Sequence, residues 1–154
     1  MSTGISSTTS RVTMFSLLAS ALLTASIAAN AATAEDAILG QWRSQERGGI
    51  TAFHRCGSAI CGQVVDGASL RANPDLRDVK NSDKTLRSRK VKGLVVLQNF
   101  KGGPHEWKGG PLYDPDRGMG VESGTIKMID RNTLKVTGCF ARFICQSEVM
   151  TRIR

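Results

Sequence analysis

Beyond the first thirty or so residues, the apolar positions come in short runs broken by turn signals, and no stretch carries a sustained helical stripe. Leu134, Val136 and Gly138 alternate with Lys135 and Thr137, the period of a strand with one buried face. Runs of this kind predict strands over 38–44, 49–55, 60–66, 93–100, 104–110, 119–129, 133–139 and 145–153. Arg47-Gly48-Gly49, Asp114-Pro115-Asp116-Arg117-Gly118 and Asp130-Arg131-Asn132 are turn chemistry between them. Eight antiparallel strands in so short a chain must hide their edges. Closure into a small up-and-down β-barrel does this and leaves room for one small ligand at most. A two-sheet sandwich is the alternative all-β architecture.

One connection breaks the rhythm. Residues 67–92 hold Arg71, Arg77, Lys80, Lys84, Arg87, Arg89, Lys90 and Lys92 against Asp75, Asp78 and Asp83. Connections this long act as lids or binding loops, or are disordered. Asn73-Pro74-Asp75 reads as the start of a turn, and Asp83 as the cap of a single helical turn over 84–88.

The N-terminal segment is different in kind. A Ser/Thr-rich start with one charge, Arg11, leads into an apolar run from Met14 to Ala28. Ala29-Asn30-Ala31 and Ala32-Thr33-Ala34 follow, both small-x-small cleavage signals. The run is short of the roughly 20 residues of a membrane span and is diluted by Ser and Thr. Residues 1–34 are therefore expected to be a cleaved secretory signal, without a lipoprotein cysteine, and 35–154 a single periplasmic or secreted domain.

Export changes the reading of the four cysteines, Cys56, Cys61, Cys139 and Cys145. In an oxidising compartment they predict two disulfides, with three connectivities open in principle. Strand parity chooses among them. In an eight-strand meander the turn after the second strand and the turn after the seventh lie at opposite ends. That separation exceeds the roughly 7 Å Cα limit of a disulfide. The expected bridges are Cys56–Cys61 and Cys139–Cys145, each clipping its own hairpin for about 2 kcal/mol.

Several spaced elements together are familiar. They are Cys56-Gly57 with Ile60-Cys61-Gly62, and Asp78-x-x-Asn81 followed by Leu86-Arg87-Ser88-Arg89 and Gly93-Leu94. Trp107-x-Gly109-Gly110 leading to Tyr113-Asp114-Pro115 and Gly118 comes next, then Leu134 to Cys139 and the closing Thr151-Arg152. In this order they resemble an uncharacterised bacterial secreted family, domain of unknown function 2147, over about residues 38–154. The resemblance implies an exported, lipocalin-like β-barrel and no established activity. Two positions depart from the family's pattern. Val121 stands where an aromatic is usual, and Met150 where Trp precedes the final Thr-Arg. Gly40-x-Trp42 near the start and Arg152 at the end also resemble a lipocalin-type closure, in which the terminal arginine lies over the indole face. That makes Trp42 and Arg152 structural.

The remaining chemistry is sparse. His54 and His105 form no ligand pair, and neither a nucleophile elbow nor a phosphate loop is present, so no catalytic or metal-binding residue and no cofactor is assigned. Glu106, Asp114, Asp116 and Glu122 are explained by turn and surface roles, and an enzyme is not the expected reading. The net charge of +8 invites a polyanion. Export and the lack of aromatics among the cations argue against nucleic acid. Parity places Arg47, the 67–92 connection, Arg117 and Arg142 at one barrel end, a basic rim suited to a small anionic or amphipathic ligand. Asp78, Asn81, Arg87 and Arg89 are the candidate ligand-binding residues, with Trp107 and Tyr113 as walls. The bland reading is a self-neutralising loop in which Asp78 pairs with Arg87 or Arg89. A filled barrel docking on an anionic membrane or a protein is the alternative function. The interior is open on sequence grounds. An inward Arg152 carries Met150, Glu148 and Gln146 inward with it, while Val149, Thr151 and Ile153 are the more apolar set.

Overall fold

The computed structural model describes residues 34–141 and 144–153, together with Met1 and Gly4. The chain divides into two units, Met1–Asn30 and Ala31–Arg154, and the fold below is that of the second. Most of the expected signal segment, residues 5–33 with Ser2 and Thr3, and Arg142 lie outside the described residues.

Ten strands form one antiparallel sheet: β1 Gly40–Ser44, β2 Ile50–Cys56, β3 Ala59–Asp66, β4 Val95–Gly102, β5 Glu106–Gly109, β6 Leu112–Asp114, β7 Met119–Val121, β8 Gly124–Asp130, β9 Thr133–Ala141 and β10 Ile144–Arg152. Eight of them close a barrel in the order β3-β2-β1-β10-β9-β8-β5-β4, with β4 returning to β3. The sheet has no free long edge, which answers the edge problem posed by the sequence.

The seven strands other than the sixth fall close to their predicted spans. The run 119–129 does not form one strand. It is β7 and β8, interrupted at Glu122-Ser123, and its partner continues past β5 into a strand the sequence reading missed, β6. The hairpin bends here because its backbones touch. A Cβ on Gly110 would sit 2.1 Å from the Glu122 carbonyl oxygen, and one on Gly109 2.2 Å from that of Asn99. Pro111 has no N–H to give to a ladder, but its carbonyl accepts from Gln98 N at 3.1 Å, which carries β6 alongside β4.

The 67–92 connection is ordered. It contains a short helix, α1 Ala68–Ala72, which the absence of a helical stripe did not predict. One 3-10 turn follows over Lys84–Leu86, with the Asp83 carboxylate accepting from Thr85 N as the cap. Asn73 Oδ1 accepts from Asp75 N in the expected turn.

One end of the barrel is plugged. Ile38, Trp42, Phe53, Phe100, Trp107, Ile126 and Leu134 are almost fully buried and pack as one core. Trp42 pairs with Arg152 in the β1–β10 register, and the guanidinium lies 4.1 Å from the ring centroid. Arg152 also donates to the carbonyls of Leu39, Ala37 and Arg131. The closure inferred from Gly40-x-Trp42 and the terminal arginine is therefore present, worth about 0.5–2 kcal/mol for the cation–π contact. The disulfides are Cys56–Cys61 and Cys139–Cys145, as parity required.

Candidate functional site

At the other end the barrel opens into a cavity of about 440 Å³. That lies within the usual range of small-molecule sites. Its deep wall is apolar: Ile50, Val64, Leu97, Leu112, Val136 and Met150 face it from the strands. Leu70, Leu76 and Val91 face it from the 67–92 connection, so that segment forms part of the wall rather than a solvated loop. Alternation along β10 follows the inward Arg152. Met150, Glu148 and Gln146 line the cavity, and the open question of the interior is settled on the more polar face.

The β6–β7 hairpin reaches across the mouth. Strand β5, from which it grows, is four strands away from β1 around the barrel. Its tip nevertheless meets the loop that follows β1. Arg47 Nη1 donates to Asp114 Oδ2 at 2.6 Å, and Arg47 Nη2 to Glu148 Oε2 on β10 at 3.0 Å. Burial works against the Arg47 charge, but the carboxylates of Glu148 and Asp114 outweigh it and hold its pKa above the ordinary arginine value. Arg117 donates to Gln146 on β10. The hairpin rests on glycines: a Cβ on Gly124 would lie 2.5 Å from Leu112 Cδ1, and one on Gly138 2.9 Å from Val121 Cγ2.

Behind the hairpin, Asp78 is the organising residue of the 67–92 connection. Its carboxylate has no exposed surface. It accepts from Arg89 Nε at 2.8 Å, from Asn81 Nδ2 at 2.8 Å and from the Tyr113 hydroxyl at 2.6 Å, and Arg89 Nη2 stands against it as an ion pair at 2.8 Å. Arg89 also lies over the Tyr113 ring, 5.0 Å from its centroid, and Arg87 Nε donates to the Asn81 carbonyl at 2.7 Å. Burial first, then the hydrogen bond and charge of Asp78, push the Tyr113 phenol up to about 12, with Arg89 acting in the opposite sense.

The six candidate ligand residues thus separate. Asp78, Asn81, Arg89 and Tyr113 come together, with Arg87 at their edge, but of these only Tyr113 lines the cavity. Asp78 pairs with Arg89, as the self-neutralising reading held. Trp107 is buried in the plug, opposite Ile126, and is not part of the cavity wall. The basic rim is also redistributed. The charged groups lining the mouth are Glu46, Asp66, Asp114, Asp116 and Glu148 against Arg47 and Arg117. The cations of 67–92 point elsewhere, because the connection turns its apolar side to the cavity. Arg47 as a cross-mouth latch was not legible: its partners lie 67 and 101 residues away. Leu70, Leu76 and Val91 were the detectable signal, as isolated apolar positions in a charged connection. Among the described residues no three His, Cys, Asp or Glu side chains are grouped to hold a metal.

A closed eight-strand antiparallel barrel, plugged at one end by a tryptophan under an arginine and open to an apolar cavity at the other, is a lipocalin-like barrel. The chain belongs to the bacterial family described as "Uncharacterized protein conserved in bacteria (DUF2147)", whose model matches residues 40–152. Both positions where the sequence departs from that family's pattern, Val121 and Met150, line the cavity. The fold is similar to that of protein HP1028 from the human pathogen Helicobacter pylori, which belongs to the lipocalin family. The TM-score is 0.66 and the identity 19%, over 75% of this chain and 82% of that one. At that identity the likeness shows the fold alone. A search among curated proteins finds no match.

Proposed function

We propose that this chain is an exported binding protein that holds one small apolar or amphipathic ligand in the barrel. The observation that carries the reading is the open cavity of about 440 Å³ with an apolar deep wall. Empty apolar volume of that size gives up packing that a ligand restores. The polar end of the ligand would lie among the mouth groups, where five carboxylates face two arginines. A neutral or cationic head group suits this balance better than the anion expected from the overall charge. Asp78, Asn81, Arg87 and Arg89 would act at one remove, by holding Tyr113 and the hairpin in place. Two hairpin disulfides suit an oxidising compartment and support export.

The test uses N-phenyl-1-naphthylamine, a neutral apolar dye that brightens on leaving water. Saturable binding to one site is expected, and Val136→Trp, which places a large ring in the cavity, should abolish it without lowering the melting temperature. Absence of saturable binding, or binding unchanged in Val136→Trp, would reject the proposal.

A further inference from the structure

We infer that the open end of the barrel docks on an anionic lipid bilayer, with the cavity mouth towards the membrane. The first observation is where the exposed apolar side chains lie. Val79 and Leu86, in the 67–92 connection, are 60% and 39% exposed, and Met119, Phe140 and Ile144 are 49%, 42% and 64% exposed. All five belong to segments at the mouth end. On the rest of the described barrel, Ile129 is the large hydrophobic side chain with comparable exposure. Single exposed apolar residues are ordinary, but a concentration of them at one end marks a surface that meets something apolar.

The second observation is charge. In the 67–92 connection Asp78 is committed to Arg89 and Asp75 to Lys90. Arg77, Lys80, Lys84, Arg87 and Lys92 are exposed and form no ion pair among the described residues. The mouth carboxylates do not cancel them: Asp114 and Glu148 are held by Arg47, which also lies 3.9 Å from Asp116, and Asp66 is held by Arg71; with Glu46 at the mouth and Asp83 in the connection counted too, ten cations stand against eight carboxylates at this end. Apolar side chains ringed by unpaired cations complement a bilayer that offers both acyl chains and anionic head groups. An acidic protein surface would answer the charge but not the apolar residues, which argues for lipid. Docking in this orientation would set the cavity against the bilayer, a source of apolar ligand. The docking surface itself does not depend on the cavity being occupied.

Co-sedimentation tests this on the full mature protein. Vesicles of equal parts phosphatidylglycerol and phosphatidylcholine should bind it, and phosphatidylcholine alone should not. Binding should fall steeply between about 0.05 M and about 0.5 M salt, as the Debye length shrinks. Lys84→Gln with Lys92→Gln should weaken binding about fivefold per cation removed. Val79→Ser with Ile144→Ser should weaken it too, whereas Ile129→Ser at the far end should not. None of these variants should alter dye uptake measured without vesicles, so failure here and failure of the cavity reading are separable. No binding to the anionic vesicles overturns the inference and leaves an acidic protein as the occupant. Equal binding to both vesicle types, or equal loss with Ile129→Ser, also overturns it.

Discussion

A carboxylate with no exposed surface must be matched by donors, and Asp78 has three, Arg89 Nε, Asn81 Nδ2 and the Tyr113 hydroxyl, with Arg89 Nη2 beside it as an ion pair. The tyrosine carries the testable consequence. Its pKa rises from 10.0 to about 12 in the folded chain. Between those values the unfolded chain has lost the phenolic proton and the folded chain keeps it. Stability therefore holds up to about pH 10 and falls as pH rises towards about 12. Guanidinium unfolding of wild type and Tyr113→Phe should show this segment of the profile in wild type and not in the variant. Identical alkaline profiles would mean that Tyr113 does not hold its proton against Asp78. The Asp78-x-x-Asn81 pair was visible in the sequence, and so was a partner among Arg87 and Arg89. Tyr113 as the fourth member was not, because it arrives from another hairpin 35 residues away.

Strand alternation and turn residues made most of the elements legible, since each depends on residues close in sequence. The bent hairpin was not, because its bend is a contact between backbones. Gly118 shows the same logic at its tip. Its φ is +69°, and a Cβ there would meet the Lys80 carbonyl oxygen at 1.9 Å. The 67–92 connection thus lies directly on the hairpin, and Lys80 Nζ closes the contact by donating to the Asp116 carbonyl at 2.7 Å. Gly118→Ala should cost at least about 2 kcal/mol, from the left-handed backbone together with the clash. Urea unfolding measures the cost, and dye affinity should fall as the tip lifts from its seat. A loss under 0.5 kcal/mol (about the scale of an ordinary surface substitution) would show that the two segments part easily.

The barrel followed from the need to hide eight strand edges, its plugged end from the resemblance of Gly40-x-Trp42 and Arg152 to a lipocalin-type closure, and its two clips from strand parity, a property of the whole chain read at once. What covers the mouth did not, because the cover is made by a hairpin crossing from β5 and β8 to the opposite wall. Arg47 ties it there through Asp114 on the tip and Glu148 on β10, beside the Arg117–Gln146 hydrogen bond. The arginine is about one-third exposed, so each ion pair is worth no more than about 1 kcal/mol to stability. Its larger effect is on how often the tip lifts. Arg47→Ala should leave the unfolding free energy within about 2 kcal/mol of wild type, the sum of its two pairs at most. Stopped-flow displacement of the dye should nonetheless show faster release, because the tip then keeps only the Arg117–Gln146 bond across the mouth. Added salt should speed release from wild type in the same direction, and should affect Arg47→Ala less, since the screened pairs are already gone. Release that is equally fast in both proteins at low salt would mean that the dye leaves by another route, between the 67–92 connection and the barrel wall, and that the hairpin is a fixed part of the cavity.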